Sequence, residues 1–159
     1  MAAVNNVTRL LDSRGVSYTA HELPSTKLGA LEAARFLDVS PDYVYKTIVV
    51  VRAKSKKTIL AVIPGPHTVD LKLLAEILGE KKVRLPTERE AEQLTGLQAG
   101  GISPLALVNK GFQVVIDSNA QQIGRIIISG GMRGLNIELA PADLAEITQA
   151  QFAVISRSS

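Results

Sequence analysis

Apolar residues recur at helical spacing in several parts of the chain. Val7, Leu10 and Leu11 lie three and four positions apart, and this spacing predicts an amphipathic helix over 7–13. Residues typical of helix ends mark the boundaries of further helical segments. These signals predict helices over 30–37, over 71–78, between Thr87 and Gly96 and over 141–147, and a helical turn that begins at Pro41.

Runs of β-branched and apolar residues, bounded by turn-forming residues, predict strands between these helices. Two runs, over 45–51 and 58–63, are separated by a polar turn and are typical of a β-hairpin. Further strands are predicted over 17–21, 113–117, 125–129, 135–139 and 152–155. Because helices and strands do not alternate regularly, the pattern favours the α+β class. We expect a single domain over 1–159 with a mixed, curved, barrel-like sheet flanked by helices.

The composition excludes several kinds of site. The chain has 159 residues, of which 46% are hydrophobic and 21% are charged, as in ordinary globular domains. It contains no cysteine, which excludes disulfides, thiolate metal sites and a cysteine nucleophile, and favours the cytoplasm. His21 and His67 lie far apart in the sequence, and neither has a metal-ligand partner at a recognisable spacing. We therefore expect no metal and no cofactor.

Basic residues form two clusters, although the net charge is only +3. One cluster occupies 52–57 and the other occupies 81–84. Such clusters are the usual footprint of a protein that binds nucleic-acid phosphates. The alternative is that lysine and arginine in polar turns only keep the surface hydrated.

Two glycine-rich segments and one lysine are the candidates for chemistry. The segment 100–104 has two successive glycines, which let a ligand approach backbone N–H groups. The segment 129–134 is either a second such loop or a simple hairpin turn. Lys46 stands before an apolar run, so its ammonium either extends to water or points into a pocket. No nucleophile elbow is present, so a nucleophile would come from water or from the substrate.

These segments resemble a known family. The matching motifs are Val44-Tyr45-Lys46-Thr47, Gly100-Gly101-Ile102-Ser103-Pro104-Leu105, Val115-Ile116-Asp117 and the stretch from Ser129 to Leu139. Together and in this order they resemble the YbaK/EbsC family of Cys-tRNA(Pro) deacylases, which are similar to the editing domain of bacterial prolyl-tRNA synthetases. The resemblance implies a cytoplasmic trans-editing enzyme that acts on the acceptor end of a mischarged tRNA, with or without prolyl-tRNA synthetase in a ternary complex. It also implies a reaction in which the thiol of the substrate attacks its own ester.

The resemblance also implies roles for individual residues. Lys46 would be the essential basic group, and the amide of Gly101 would hold the ester carbonyl oxygen. The substrate-binding residues would be Thr47, Ile102, Ser103, Ser129, Gly130, Gly131, Asn136, Leu23 and Leu28. Apart from the resemblance, the charge pattern makes the basic turn that contains Arg52, Lys54, Lys56 and Lys57 the candidate for the tRNA-facing edge.

Some positions depart from the family pattern and leave the amino acid open. Leu23 and Leu28 replace aromatic residues that shape the pocket, Asn136 replaces an aspartate, and Met132 replaces a lysine. Three hypotheses follow. The protein deacylates Cys-tRNA(Pro), it deacylates another mischarged tRNA carrying alanine or serine, or it is a non-catalytic module that binds tRNA or a synthetase.

Overall fold

The computed structural model describes residues 5–52 and 57–159, and it confirms the predicted helices. The helix over 71–78 shows how a side chain and a glycine set the two ends. Asp70 accepts a hydrogen bond from the amide of Leu73, and Gly79 ends that helix in a left-handed conformation, at φ 70°. No helix in these two ranges is long and apolar enough to cross a membrane. The helices are α1 (Asn6–Ser13), α2 (Ala30–Leu37), α3 (Leu71–Leu78), α4 (Glu88–Thr95) and α5 (Pro141–Thr148).

The strands follow the predictions except over 67–69 and at the C-terminal end. The turn at Pro41 is a short 3-10 helix, Pro41–Tyr43, and two short strands, over 67–69 and 156–158, were not predicted. The strands are β1 (Tyr18–Glu22), β2 (Tyr45–Val50), β3 (Ile59–Pro64), β4 (His67–Val69), β5 (Gln113–Asp117), β6 (Ile126–Ser129), β7 (Leu135–Leu139), β8 (Gln151–Ala153) and β9 (Ser156–Ser158).

The strands form three sheets. The central sheet has the order β2-β3-β5-β8, and it is mixed because β2 pairs antiparallel with β3 while the other pairs are parallel. This confirms the predicted hairpin over β2 and β3 and the α+β class. The second sheet, β1-β7-β6, is antiparallel, and β4 pairs with β9. Within residues 5–52 and 57–159 the strands do not close into a barrel, since β2 and β6 meet only at the bridge between Val44 and Ile127.

The core lies on both faces of the central sheet. Every residue of β3 is buried, and its alternate side chains enter two apolar clusters. Leu60 and Val62 join the cluster that contains Leu11 of α1 and the inner face of the second sheet. Ile59 and Ile63 join the cluster that packs against α3. The central hairpin is therefore held rigidly from both sides.

A buried carboxylate fastens the C-terminal segment to the central sheet. Asp117, at the end of β5, is 1% exposed. One oxygen accepts from the backbone and side-chain nitrogens of Asn119, at 2.9 and 2.7 Å. The other accepts from the amide of Ile155 at 3.3 Å and the hydroxyl of Ser156 at 2.6 Å. Because that hydroxyl donates to Asp117, it accepts from His67 Nδ1 at 2.7 Å, an order unlike that of a hydrolytic triad.

Candidate active site

A cleft of about 610 Å³ opens between the edge of the central sheet and three loops. The loops precede α2, precede α4 and follow α4, and the hairpin end between β6 and β7 completes the wall. Residues from five separate parts of the chain therefore meet here. The predicted site residues that line the cleft are Leu28, Lys46, Thr47, Ile102, Ser129 and Asn136.

The cleft exists because, among the described residues, bridges cover the outer edge of β2 only at its two ends. Val44 bridges to Ile127 at one end, and Val51 exchanges two backbone hydrogen bonds with Arg84 at the other. The residues of β2 between these bridges line the cleft. A strand edge thus forms its floor.

Lys46 brings a half-buried positive charge into this cleft. Burial lowers the pKa of its ammonium below the usual 10.5. Among the described residues no carboxylate lies within 4.0 Å of Lys46 Nζ. An ammonium in this setting gains from an anion or a polarised carbonyl oxygen supplied by a ligand.

The glycine loop does not use its amides as the resemblance implied. The Gly101 N–H donates to the carbonyl of Gln98 at 2.8 Å, so in this conformation it is not free for the substrate carbonyl. A Cβ at position 101 would lie 3.0 Å from Met132 Cα, which explains why glycine is needed there. Within the described residues, the neighbouring amides of Gly100 and Ile102 have no acceptor. They replace Gly101 as the candidate donors.

Ser103 is a structural residue rather than a substrate contact. It is 0% exposed, and its hydroxyl accepts from the amide of Leu105 at 3.2 Å. The hydroxyl thereby starts the 3-10 helix Pro104–Leu107, which packs into the core. The predicted supporting contact at Ser103 is therefore corrected.

The hairpin end between β6 and β7 is both a turn and a wall of the cleft. Ser129 lines the cleft, and its hydroxyl accepts from the amide of Gly131 at 3.3 Å. Gly130 and Gly131 do not line it: a Cβ at 130 would lie 2.6 Å from Leu135 Cγ, and one at 131 would lie 3.0 Å from the Ala106 Cβ. Their predicted role as substrate contacts changes to packing.

The two leucines that replace family aromatics lie in different places. Leu28 lines the cleft. Leu23 instead packs on the small apolar cluster formed by α2, Val44 and Ile127, so it is not a cleft residue. Of the two positions, only Leu28 can contact a ligand in the cleft.

The basic turn only partly fits the predicted tRNA-facing edge. Lys54 and Lys56 lie outside the described residues, and Lys57 is exposed. The side chain of Arg52 is 10% exposed and binds Glu80 Oε1 at 2.9 Å and Gln113 Oε1 at 2.7 Å. Its guanidinium is therefore engaged within the protein, which does not support the predicted role toward tRNA.

The second basic cluster leads directly to the cleft, which the sequence did not reveal. Lys81 and Lys82 are exposed, and within the described residues neither has a carboxylate within 4.0 Å. The chain then passes through Arg84, which pairs with Glu90, into the loop 85–88. That loop lines the cleft. The only signal in the sequence was the adjacency of the basic cluster to the capped start of a helix.

Both histidines are engaged outside the cleft. His21 Nε2 lies 2.8 Å from Glu138 Oε1, and His67 bonds to Ser156. Across residues 5–52 and 57–159, no group of three acidic or histidine side chains is arranged to hold a metal ion.

Comparisons with known proteins point to one family. The model of the aminoacyl-tRNA editing domain matches residues 26–147. EbsC of Enterococcus faecalis, whose name describes a Cys-tRNA(Pro)/Cys-tRNA(Cys) deacylase, is 37% identical over 153 residues, which cover 95% of this chain and 92% of EbsC. The prolyl-tRNA editing protein ProX of Acetoanaerobium sticklandii is 25% identical over 94% of this chain and 93% of its own. The crystal structure of hypothetical protein APE2540 aligns with a TM-score of 0.87 at 28% identity, covering 96% of this chain and 100% of that one.

Proposed function

Because the chain belongs to the aminoacyl-tRNA editing domain family, we propose that it is a trans-editing deacylase that clears Cys-tRNA(Pro), with Cys-tRNA(Cys) as a second substrate. The family resemblance inferred from the motifs is thereby confirmed. The observation that carries the proposal is the cleft, which is lined by the glycine loop and by Lys46, a lysine without a carboxylate partner among the described residues. The cleft suits an ester that must be oriented and polarised.

The cleft provides positioning rather than a nucleophile. Hydroxyl groups line it at Thr26, Tyr45, Thr47, Thr87 and Ser129, and within the described residues none of them has a histidine or carboxylate at hydrogen-bond distance to activate it. We therefore assign the attack to the cysteine thiolate of the substrate. Its sulfur bonds to the ester carbonyl carbon, the bond from that carbon to the ribose oxygen breaks, and the thiol proton ends on the ribose oxygen. Cysteine leaves as a thiolactone, which water then opens.

The choice of amino acid is tested with three substrates. The protein is incubated with Cys-, Ala- and Pro-charged tRNA(Pro), and loss of the ester is followed against the spontaneous rate. We expect cysteine to be released and proline to be spared. Release of alanine instead would move the protein to the second hypothesis, in which Leu28 and Asn136 set a different preference. No release from any charged tRNA would contradict an enzymatic function.

Blocking the cysteine thiol separates two mechanisms. If the substrate thiol is the nucleophile, S-alkylated Cys-tRNA(Pro) should survive at the spontaneous rate while unmodified substrate is consumed. Alanine, which has no thiol, serves as a second check. Deacylation of the S-alkylated substrate at the normal rate would assign the attack to water.

We propose that the tRNA backbone contacts the exposed lysines next to the cleft. Within the described residues, the acids on either side of them in the sequence are engaged elsewhere: Glu80 with Arg52, Glu88 with Lys27 and Glu90 with Arg84. The charges of Lys81 and Lys82 are therefore left for phosphates. This surface replaces Arg52 as the described part of the tRNA-facing edge.

Reversing these two charges should weaken tRNA binding. We expect the variant Lys81→Glu with Lys82→Glu to raise the Kd for tRNA about tenfold at low salt and to flatten its salt dependence. The matched control changes Lys72 and Lys110, two other exposed lysines, to glutamate. If both double variants lose the same affinity, net charge rather than this surface governs binding.

Selection of the tRNA is proposed to involve the synthetase. Recognition of phosphates alone carries no information about the tRNA body. A ternary complex with prolyl-tRNA synthetase would supply that information at the site where the error arises. Translation takes place in the cytoplasm, which is where we place the protein.

A further inference from the structure

One residue before the glycine loop is held by charged side chains on both sides. Ala99 is 8% exposed. Its N–H donates to Glu92 Oε2 at 2.8 Å, and its carbonyl accepts from Arg133 Nε at 2.8 Å. Bonds of this length to charged groups fix the peptide from which Gly100 and Gly101 continue. The orientation of the loop therefore depends on the side chains of Glu92 and Arg133.

Arg133 uses only the Nε–H of its guanidinium to hold the carbonyl of Ala99. Among the described residues, neither Nη1 nor Nη2 has an acceptor, and no carboxylate lies within 4.0 Å of the group. The side chain is half-buried. The anchored Nε thus leaves a pre-oriented fork of N–H donors without a protein partner.

The side chain of Arg133 lies beside the glycine loop that lines the cleft. A Cβ built on Gly100, which lines the cleft, would be 3.6 Å from Arg133 Cγ and 3.3 Å from Lys27 Cα. Lys27 already has a carboxylate partner, since its ammonium contacts Glu88. Of the two cationic side chains beside Gly100, Arg133 is therefore the one available to an anion.

We infer that the Nη edge of Arg133 binds the phosphate on the 5′ side of the terminal adenosine, while its Nε positions the glycine loop. The inference rests on the proposed function, because the ester to be cleaved is attached to the ribose of that adenosine. The nearest anion of the substrate is the phosphodiester one nucleoside away from the ester. A planar guanidinium binds two phosphate oxygens at once. Because the Nε hydrogen bond already orients this side chain, binding the phosphate costs less conformational entropy.

Two small substrates test this assignment: cysteine esterified to adenosine, and cysteine esterified to adenosine 5′-monophosphate. The wild-type protein should show a kcat/KM about tenfold higher for the phosphorylated ester, through a lower KM, as expected of a charge-assisted contact. Arg133→Ala should abolish this preference. It should also lower kcat on both esters, since the Nε bond is lost as well.

Two control variants separate binding from positioning. Glu92→Ala disturbs the loop from the opposite side but keeps the guanidinium, so it should lower kcat on both esters and retain the phosphate preference. Arg133→Lys keeps a charge but loses the fork, so it should retain only part of the preference. Circular dichroism and thermal unfolding check that each variant is folded.

The outcomes are distinguishable from failure of the proposed function. If wild-type protein cleaves neither ester nor Cys-tRNA(Pro), the proposed function is wrong. If it cleaves both esters equally well, or if Arg133→Ala keeps the preference for the phosphate, the assignment of Arg133 is overturned while the deacylase activity stands.

Discussion

Replacing Lys46 with methionine is expected to lower the deacylation rate of Cys-tRNA(Pro) by about 10²–10³-fold, the usual loss when a charge-stabilising group is removed. Methionine keeps the length and apolar stem of lysine and removes only the ammonium. That ammonium is the cationic group of the cleft for which the described residues show no carboxylate partner. Single-turnover rates on charged tRNA measure the effect, and Lys46→Arg shows how far charge alone restores activity.

The same variant should not lose stability. Because burial lowers the pKa of Lys46, folding disfavours the charged form of the side chain. Between the lowered pKa and 10.5 the unfolded chain binds more protons than the folded one, so the stability of the wild type rises with pH there. Below the lowered pKa, the free-energy cost of burying the charged ammonium is fully present, and Lys46→Met removes this cost. Urea denaturation at pH 7 should therefore show a variant at least as stable as the wild type, with the difference narrowing toward pH 10.

A marked loss of stability in Lys46→Met would contradict this account. It would mean that the ammonium stabilises the fold through a partner, and the loss of activity would then have a structural cause. Preserved stability with preserved activity would remove Lys46 from the mechanism.

Replacing Asp117 with alanine is expected to cost about 3–5 kcal/mol of unfolding free energy, because buried donors lose their charged acceptor. Four hydrogen bonds converge on this carboxylate, from Asn119, Ile155 and Ser156. The alanine variant leaves the amide of Ile155 buried without its acceptor, and it leaves the buried hydroxyl of Ser156 with His67 as its partner. Asn119 is exposed, so its donors turn to water. In a protein of this size the midpoint of thermal unfolding should fall by roughly 10 °C.

Smaller variants test whether the network is responsible. Asn119→Ala removes the side-chain donor but not the backbone one, and Ser156→Ala removes one hydroxyl. Each should cost about 1–2 kcal/mol, less than the loss of the carboxylate itself. A cost below about 1 kcal/mol for Asp117→Ala would show that water replaces the lost acceptor.

Local patterns were sufficient to predict the helices and the central hairpin. The spacing of Val7 and Leu11, and the caps at Asp70 and Gly79, act within one turn of chain and need no tertiary information. The strands over 67–69 and 156–158 escaped prediction because each has three residues and gains stability only by pairing with the other. The absence of barrel closure among the described strands was not predicted either, because closure depends on the pairing between β2 and β6.

The site could be predicted only as far as its residues come from recognisable segments. Lys46, Ser129 and Asn136 meet in one cleft as expected. The roles of Gly101 and Arg52 could not be derived from the sequence. The geometry of the loop turns the amide of Gly101 toward the carbonyl of Gln98. The fold brings Arg52 against Glu80, which lies 28 positions away in the sequence. The residue type limits which hydrogen bonds and ion pairs a side chain can form, but the fold determines its partner.

The partial covering of β2 has a consequence for solubility. An uncovered strand edge is a template on which a strand from another molecule can add, and so a starting point for aggregation. Here the bridges at Val44 and Val51 interrupt that template at both ends. The gap left between them forms the floor of a cleft but gives an incoming strand little length over which to pair. The uncovered part of the β2 edge, which forms the floor of the cleft, is thus also too short to favour aggregation through strand pairing.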